Sequence, residues 1–168
     1  MSKAILLSIK PKYVADILNG KKTIEIRKTM PKCDLPIDVY IYCKKYILNG
    51  KVVAKFTLRK VEKIKFHFGY YDMGEWTESY ILENACLTSN ELDNYLKASK
   101  DYDEKKIAKV CGYAWHIEDL VIFDKSKELS SFVYYNVVKN NLYAYGEFPL
   151  KTHLTKAPQS YCYVESEE

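Results

Sequence analysis

Apolar residues in this chain come in short, strand-length runs, and that pattern limits the fold more than any other feature. Ala4–Ile9 (AILLSI), Val39–Cys43 (VYIYC), Val52–Val61 (VVAKFTLRKV), Cys111–Phe123 (CGYAWHIEDLVIF) and Ser160–Val164 (SYCYV) read as strands, the fourth as one or two. Helical spacing is scarcer. Pro11 suits a first helical turn, and Val14, Ile17 and Leu18 follow at i, i+3 and i+4. Gly20 is placed as a left-handed stop, so residues 11–19 form a short amphipathic helix. Thr88-Ser89-Asn90-Glu91 is a capping-box pattern ahead of Leu92, Tyr95 and Leu96. Asn49-Gly50 signals a turn between two strands. Residues 65–85 are aromatic and irregular and receive no assignment, 100–109 form a charged connector, and 126–145 suggest a loop with a short helix. Five or six strands with few short helices predict an α+β protein built on a small closed or nearly closed barrel.

Composition narrows the class. With 168 residues, 48% hydrophobic and 29% charged, the chain is long enough for a real core and is not biased toward disorder. No run reaches membrane-spanning length. The opening MSKAILLSIKPK has too short an apolar stretch for a signal peptide, so it reads as a first strand and the protein as cytoplasmic. Cys33, Cys43, Cys86, Cys111 and Cys162 include no C-x-x-C pair, which argues against a disulfide framework or a zinc site; no metal or cofactor is expected. The net charge is +4, a mild pointer to a polyanionic partner. Sixteen tyrosines suit half-buried sheet faces and also base stacking.

The eight residues Gly20–Arg27 (GKKTIEIR) concentrate the chemistry. Arg27 and Arg59 are the only arginines in the chain. After the glycine stop, TIEIR alternates, with Ile24 and Ile26 on one face and Thr23, Glu25 and Arg27 on the other, which predicts a strand with one wholly polar face. On spacing alone, Glu25 and Arg27 are as compatible with a surface ion pair worth about 0–1 kcal/mol as with a site.

Gly20-x-Lys22-x-x-Glu25-x-Arg27 resembles the G-x-K-x-x-E-x-R signature of the ASCH domain family, in the PUA-like superfamily. Ile5–Tyr13 (ILLSIKPKY), Tyr40–Lys44 (YIYCK), Gly50–Ala54 (GKVVA), Gly112–Ile117 (GYAWHI) and Ala157–Val164 (APQSYCYV) resemble further blocks of small bacterial and phage-borne members. The resemblance implies a PUA-like barrel of about six strands flanked by a few short helices, with a cleft beside the first helix. It implies a single domain over 1–165, with variable insertions near 65–85 and 130–150. It also implies binding of RNA or of a modified nucleoside or nucleotide.

In that setting Lys22 and Arg27 suit phosphate or a base edge, and Glu25 suits an exocyclic amine. Tyr113 and Trp115, two apart, offer a stacking platform, although core packing explains Trp115 equally well. Lys10, Gln159 and Ser160 are further candidates, with plain surface roles as the alternative. His116 points away from Trp115 and reads as structural. Some relatives resemble amidohydrolases acting on N4-acetylcytidine. In this alternative Lys22 and Glu25 are the catalytic pair and Glu83 a third candidate, but Glu25 stands where that branch has its threonine nucleophile. A protein-interaction module with a vestigial cleft is the remaining reading. Oligomeric state is not legible.

Overall fold

The structure, a computed structural model, describes residues 2–44, 50–97, 109–135 and 152–166. The chain divides into two compact units, one of Met1–Pro11, Ile37–Phe56 and Leu120–Glu168, the other of Lys12–Pro36 and Thr57–Asp119.

The first unit is built on β1 (Lys3–Ile9), β3 (Ile37–Cys43), β4 (Lys51–Leu58), β9 (Glu118–Lys127) and β10 (Tyr161–Glu165), in the order β10-β1-β3-β4-β9. Strand β1 pairs antiparallel with β10 and parallel with β3. A parallel pair needs a long crossover, and residues 10–36 supply it. Strand β1 is central and buried from Ala4 to Ile9, which is why it reads as a continuous apolar run. In β4, by contrast, Val52, Ala54, Phe56 and Leu58 alternate with half-buried residues. Ala4, Leu6, Tyr40, Val52, Phe132, Leu154 and Val164 form this core.

The second unit contains β2 (Ile24–Arg27), β5 (Val61–His67), β6 (Tyr70–Met73), β7 (Trp76–Thr77) and β8 (Lys109–His116), in the order β2-β8-β5-β6-β7. Helix α1 (Pro11–Leu18) precedes β2, and α2 (Glu78–Ala85) and α3 (Ser89–Leu96) follow β7. Ile24, Ile26, Ile64, Phe66, Tyr71, Met73 and Ala114 pack against Ile81, Ala85, Leu92 and Leu96 of α2 and α3. The Thr88 capping box is present in full, with its hydroxyl accepting from the Glu91 amide and the Glu91 carboxylate accepting from the Thr88 amide.

Several expectations are corrected. Against the expected five or six strands, the described residues form ten, in two five-stranded sheets, and no pairing among them closes either into a barrel. VVAKFTLRKV, expected as one strand, is two, β4 and β5, broken at Arg59-Lys60; CGYAWHIEDLVIF takes the second of its two expected forms, dividing at Ile117 into β8 and β9. In each case one apolar run feeds two different sheets, and a hydropathy pattern carries no mark of that switch. The unassigned 65–85 segment holds the end of β5, the β6 and β7 strands and α2. Beta-strands 3 and 4 are sheet neighbours, as a hairpin signal would have them, although Asn49 lies outside the described residues. Most of the connector near 100–109 and of the expected insertion near 130–150 also lies outside them; Leu129–Ser131 forms a short 3-10 turn.

Candidate functional site

The site begins at the end of α1. Gly20 adopts φ +70°, and the amides of Lys21 and Lys22 both donate to the Asp16 carbonyl at 2.9 and 3.0 Å. This tight exit aims the next residues at the C-terminus of α2. The Thr23 amide donates to the Asn84 carbonyl at 2.9 Å, and the Lys22 ammonium donates to the Ala85 carbonyl at 2.7 Å. A helix C-terminus carries unpaired carbonyls and partial negative charge, so it is a natural seat for a cation.

From that seat Lys22 reaches Glu25, Nζ to Oε2 at 3.2 Å, while the other carboxylate oxygen takes Arg27 Nε at 3.3 Å. The three are buried, at 3%, 8% and 8% exposure. Lys22 keeps 2% of its side-chain surface, whereas Glu25 and Arg27 each keep 10%. The strand is therefore not polar and open on one side: all four residues of β2 are buried. Thr23 does not join the cluster. It is exposed, and its hydroxyl donates to Asn84 Oδ1 at 2.7 Å.

Antiparallel register decides what shares the face. Glu25 stands opposite Trp115 and Arg27 opposite Tyr113, while Ile24 and Ile26 stand opposite His116 and Ala114. Directly opposed residues project to the same side, so Tyr113 and Trp115 share a sheet face with Arg27 and Glu25. Trp115 is wholly buried, however, and offers no open ring face to a base; Tyr113 is half-buried. His116 lies on the other face with Nε2 2.6 Å from Glu62 Oε2, a structural pairing.

Tyr13 of α1 was not singled out from the sequence, yet it lies over the cluster, with Lys22 Nζ 5.3 Å from its ring centroid, a cation–π separation. Its hydroxyl donates to Glu91 Oε1 at 3.4 Å, and Lys12 pairs with the same oxygen at 3.0 Å. Burial, then the Glu91 carboxylate, pushes the Tyr13 phenol above its ordinary value. The Thr88 amide and the Lys12 ammonium hold Glu91 at about 2. The capping pattern revealed Glu91, but nothing local linked it to Lys12 or Tyr13.

Four candidates remain. Glu83 is exposed on α2, its carbonyl accepting from the Cys86 amide. Lys10, Gln159 and Ser160 are exposed and belong to the other unit; there the carbonyls of Gln159 and Ser160 accept from the Lys44 ammonium and the Ser8 amide. Among the described residues no three His, Cys, Asp or Glu side chains gather as a metal site, and no helix is long and apolar enough to cross a membrane.

Two sheets, one with a parallel pair and one antiparallel, with few helices and a Lys–Glu–Arg cluster set just past a glycine-stopped helix, define an α+β protein with a built ionic site. The chain belongs to the ASCH domain family, whose model matches residues 7–139. Its fold is that of an ASCH protein from Zymomonas mobilis: the crystal structure matches at a TM-score of 0.52 and 14% identity, over 96% of this chain and 87% of that one. A tyrosine-to-phenylalanine mutant of the Zymomonas protein matches at 0.56 and 16% identity, over 98% and 91%. A search of curated proteins returns no match.

Proposed function

We propose that this protein binds RNA, seating one nucleotide on Glu25 and Arg27 while Lys22 holds the carboxylate in place. The observation that carries this reading is the burial of Glu25 between two cations. A buried ion cluster is weak as a stabilising device, because desolvation consumes most of its attraction, and apolar replacements are often as stable. Such a cluster instead supplies fixed, preoriented groups. Arg27 keeps a tenth of its side-chain surface, and a guanidinium is the planar donor group that suits a phosphate or base edge. The carboxylate beside it accepts from an exocyclic amine. Lys22, spent on Glu25 and Ala85, positions rather than touches the ligand.

The hydrolytic alternative gains no support from the geometry: the Thr23 hydroxyl is turned to Asn84, and Glu83 stands apart from the cluster on an exposed helix face. The test is fluorescence anisotropy with labelled single-stranded RNA. Arg27→Ala should weaken binding by about 2 kcal/mol, roughly thirtyfold, the scale of a charge-assisted bidentate contact. Arg27→Lys should restore only part of it. Unaltered affinity in a folded Arg27→Ala protein would overturn the reading. N4-acetylcytidine incubated with the protein should stay intact; deacetylation abolished by Lys22→Ala would replace binding with hydrolysis.

A further inference from the structure

The register of the second sheet carries the face of Glu25 and Arg27 across to the hairpin of β5 and β6. Arg27 opposes Tyr113, Tyr113 opposes Lys63, Lys65 opposes Asp72, and His67 opposes Tyr70. All of these share one side of the sheet, while Ile64 and Phe66 turn to the core. Lys63, Lys65 and Tyr70 are exposed. Among the described residues no ion pair engages the ammonium of Lys63 or Lys65. Among the described residues, the carboxylates on this face are already occupied, Glu25 by Lys22 and Arg27, and Asp72 by His67.

The strip ends in an unusual turn. Phe68 and Gly69 connect β5 to β6 with φ +49° and +87°. A two-residue turn of this hand is normally Asn-Gly or Asp-Gly, because a bulky side chain is disfavoured at positive φ. Phe68 is nonetheless 71% exposed, so the strained backbone is not offset by burying the ring. Its centroid is 5.6 Å from His67, whose ring lies 4.6 Å from Tyr70. The turn thus carries a large, mostly exposed ring at its tip. A surface for stacking gains three adjacent rings at the end of two exposed lysines that have no ion pair among the described residues.

We propose that the RNA strand seated on Glu25 and Arg27 continues along this strip, its phosphates against Lys63 and Lys65 and an unpaired base on the Phe68–His67–Tyr70 rings. Lys63 to His67 spans four residues, about 13 Å of strand, in line with a bound chain rather than a lone nucleotide. Alternating lysines with a terminal aromatic group are the chemistry of single-strand binding, where backbone charge and base faces are engaged together. The proposal rests on the RNA reading above but uses different residues, so the two can fail separately.

The test uses the full chain with a labelled twelve-nucleotide single-stranded RNA, the same sequence as a duplex, and a labelled dinucleotide. Lys63→Gln/Lys65→Gln should weaken the twelve-mer about tenfold and reduce the slope of log K against log salt by about 1.4, from two lost phosphate contacts. Phe68→Asn, which suits the turn's backbone and so should melt no lower than the parent, should also weaken the twelve-mer about tenfold. Dinucleotide affinity should stay within about twofold in both variants, and the duplex should bind more weakly than the single strand. The inference is overturned if both variants bind the twelve-mer as the parent does, if the parent does not bind it, if the duplex binds equally well, or if oligoglutamate displaces the RNA at equal concentration. Loss of dinucleotide binding in Arg27→Ala, with the strip variants silent, keeps the nucleotide seat and removes the strip. Silence in Arg27→Ala with loss in the strip variants does the reverse.

Discussion

Glu25→Gln is the sharpest probe of the ionic cluster, because it preserves shape while deleting the one negative charge. In the native protein the carboxylate lies 3.2 Å from Lys22 Nζ and 3.3 Å from Arg27 Nε, and neither cation keeps more than a tenth of its side-chain surface. Were the cluster solvated, losing it would cost under about 1 kcal/mol. Removing one partner of a buried set costs about 3–5 kcal/mol, because the others are left charged without compensation. Lys22 keeps the Ala85 carbonyl, so the lower end, about 3 kcal/mol, applies. At roughly 2–4 °C per kcal/mol for a chain of this size, the melting temperature should fall by about 6–12 °C. Lys22→Met should be milder, at about 1–2 kcal/mol, since it leaves the Glu25–Arg27 pair balanced and frees only one buried carbonyl. In the Lys22→Met background, Glu25→Gln strands one cation instead of two, so the double mutant should be more stable than the sum of the single effects. Urea melts with unchanged m-values measure all three. A Glu25→Gln cost below about 1 kcal/mol, or a larger cost for Lys22→Met, would refute the buried-cluster argument.

Two further outcomes are expected. The Glu91 carboxyl is depressed from 4.5 to about 2 by the Thr88 amide and Lys12, so its stabilising effect is full above about 4.5 and is lost as pH falls through about 2. Because Glu91 faces solvent the effect is small, but Glu91→Gln should flatten the acid limb of stability followed by circular dichroism, and Thr88→Ala should cost about 1 kcal/mol at neutral pH; an unchanged acid limb would count against the assignment. Burial pushes the Cys111 and Cys162 thiols up to about 11, so at pH 8 both should label slowly with a disulfide reagent in the native protein and rapidly in urea. Fast native labelling of both would contradict it.

Local rules were legible where the chain itself supplies both partners. Pro11, the 3-4 apolar spacing and Gly20 delivered α1 and its exit, and Thr88 with Glu91 delivered the start of α3. Most strands were recognised as strands, β6 and β7 excepted, but their allocation to sheets was not. The run at 52–61 reads as one strand although Arg59-Lys60 interrupts its alternation, and the run at 111–123 reads as one strand or two. The site was half visible in the same sense. The signature placed Lys22, Glu25 and Arg27 in one short segment, but the Ala85 carbonyl is 63 residues away and is a backbone atom, which no side-chain pattern can mark.

Residue order by itself determined the helix stop, the strand that follows it, and the presence of two cations and a carboxylate within six residues. Those outcomes depend on bonds and spacings a few residues long. Tertiary structure alone decided that Glu25 is buried between its cations, that Trp115 is core, and that Lys63, Lys65 and His67 lie on the face that Arg27 shares with Tyr113. Burial and cross-strand register are set by which distant segments pair, and their free energy comes from contacts that exist only once the sheet has formed.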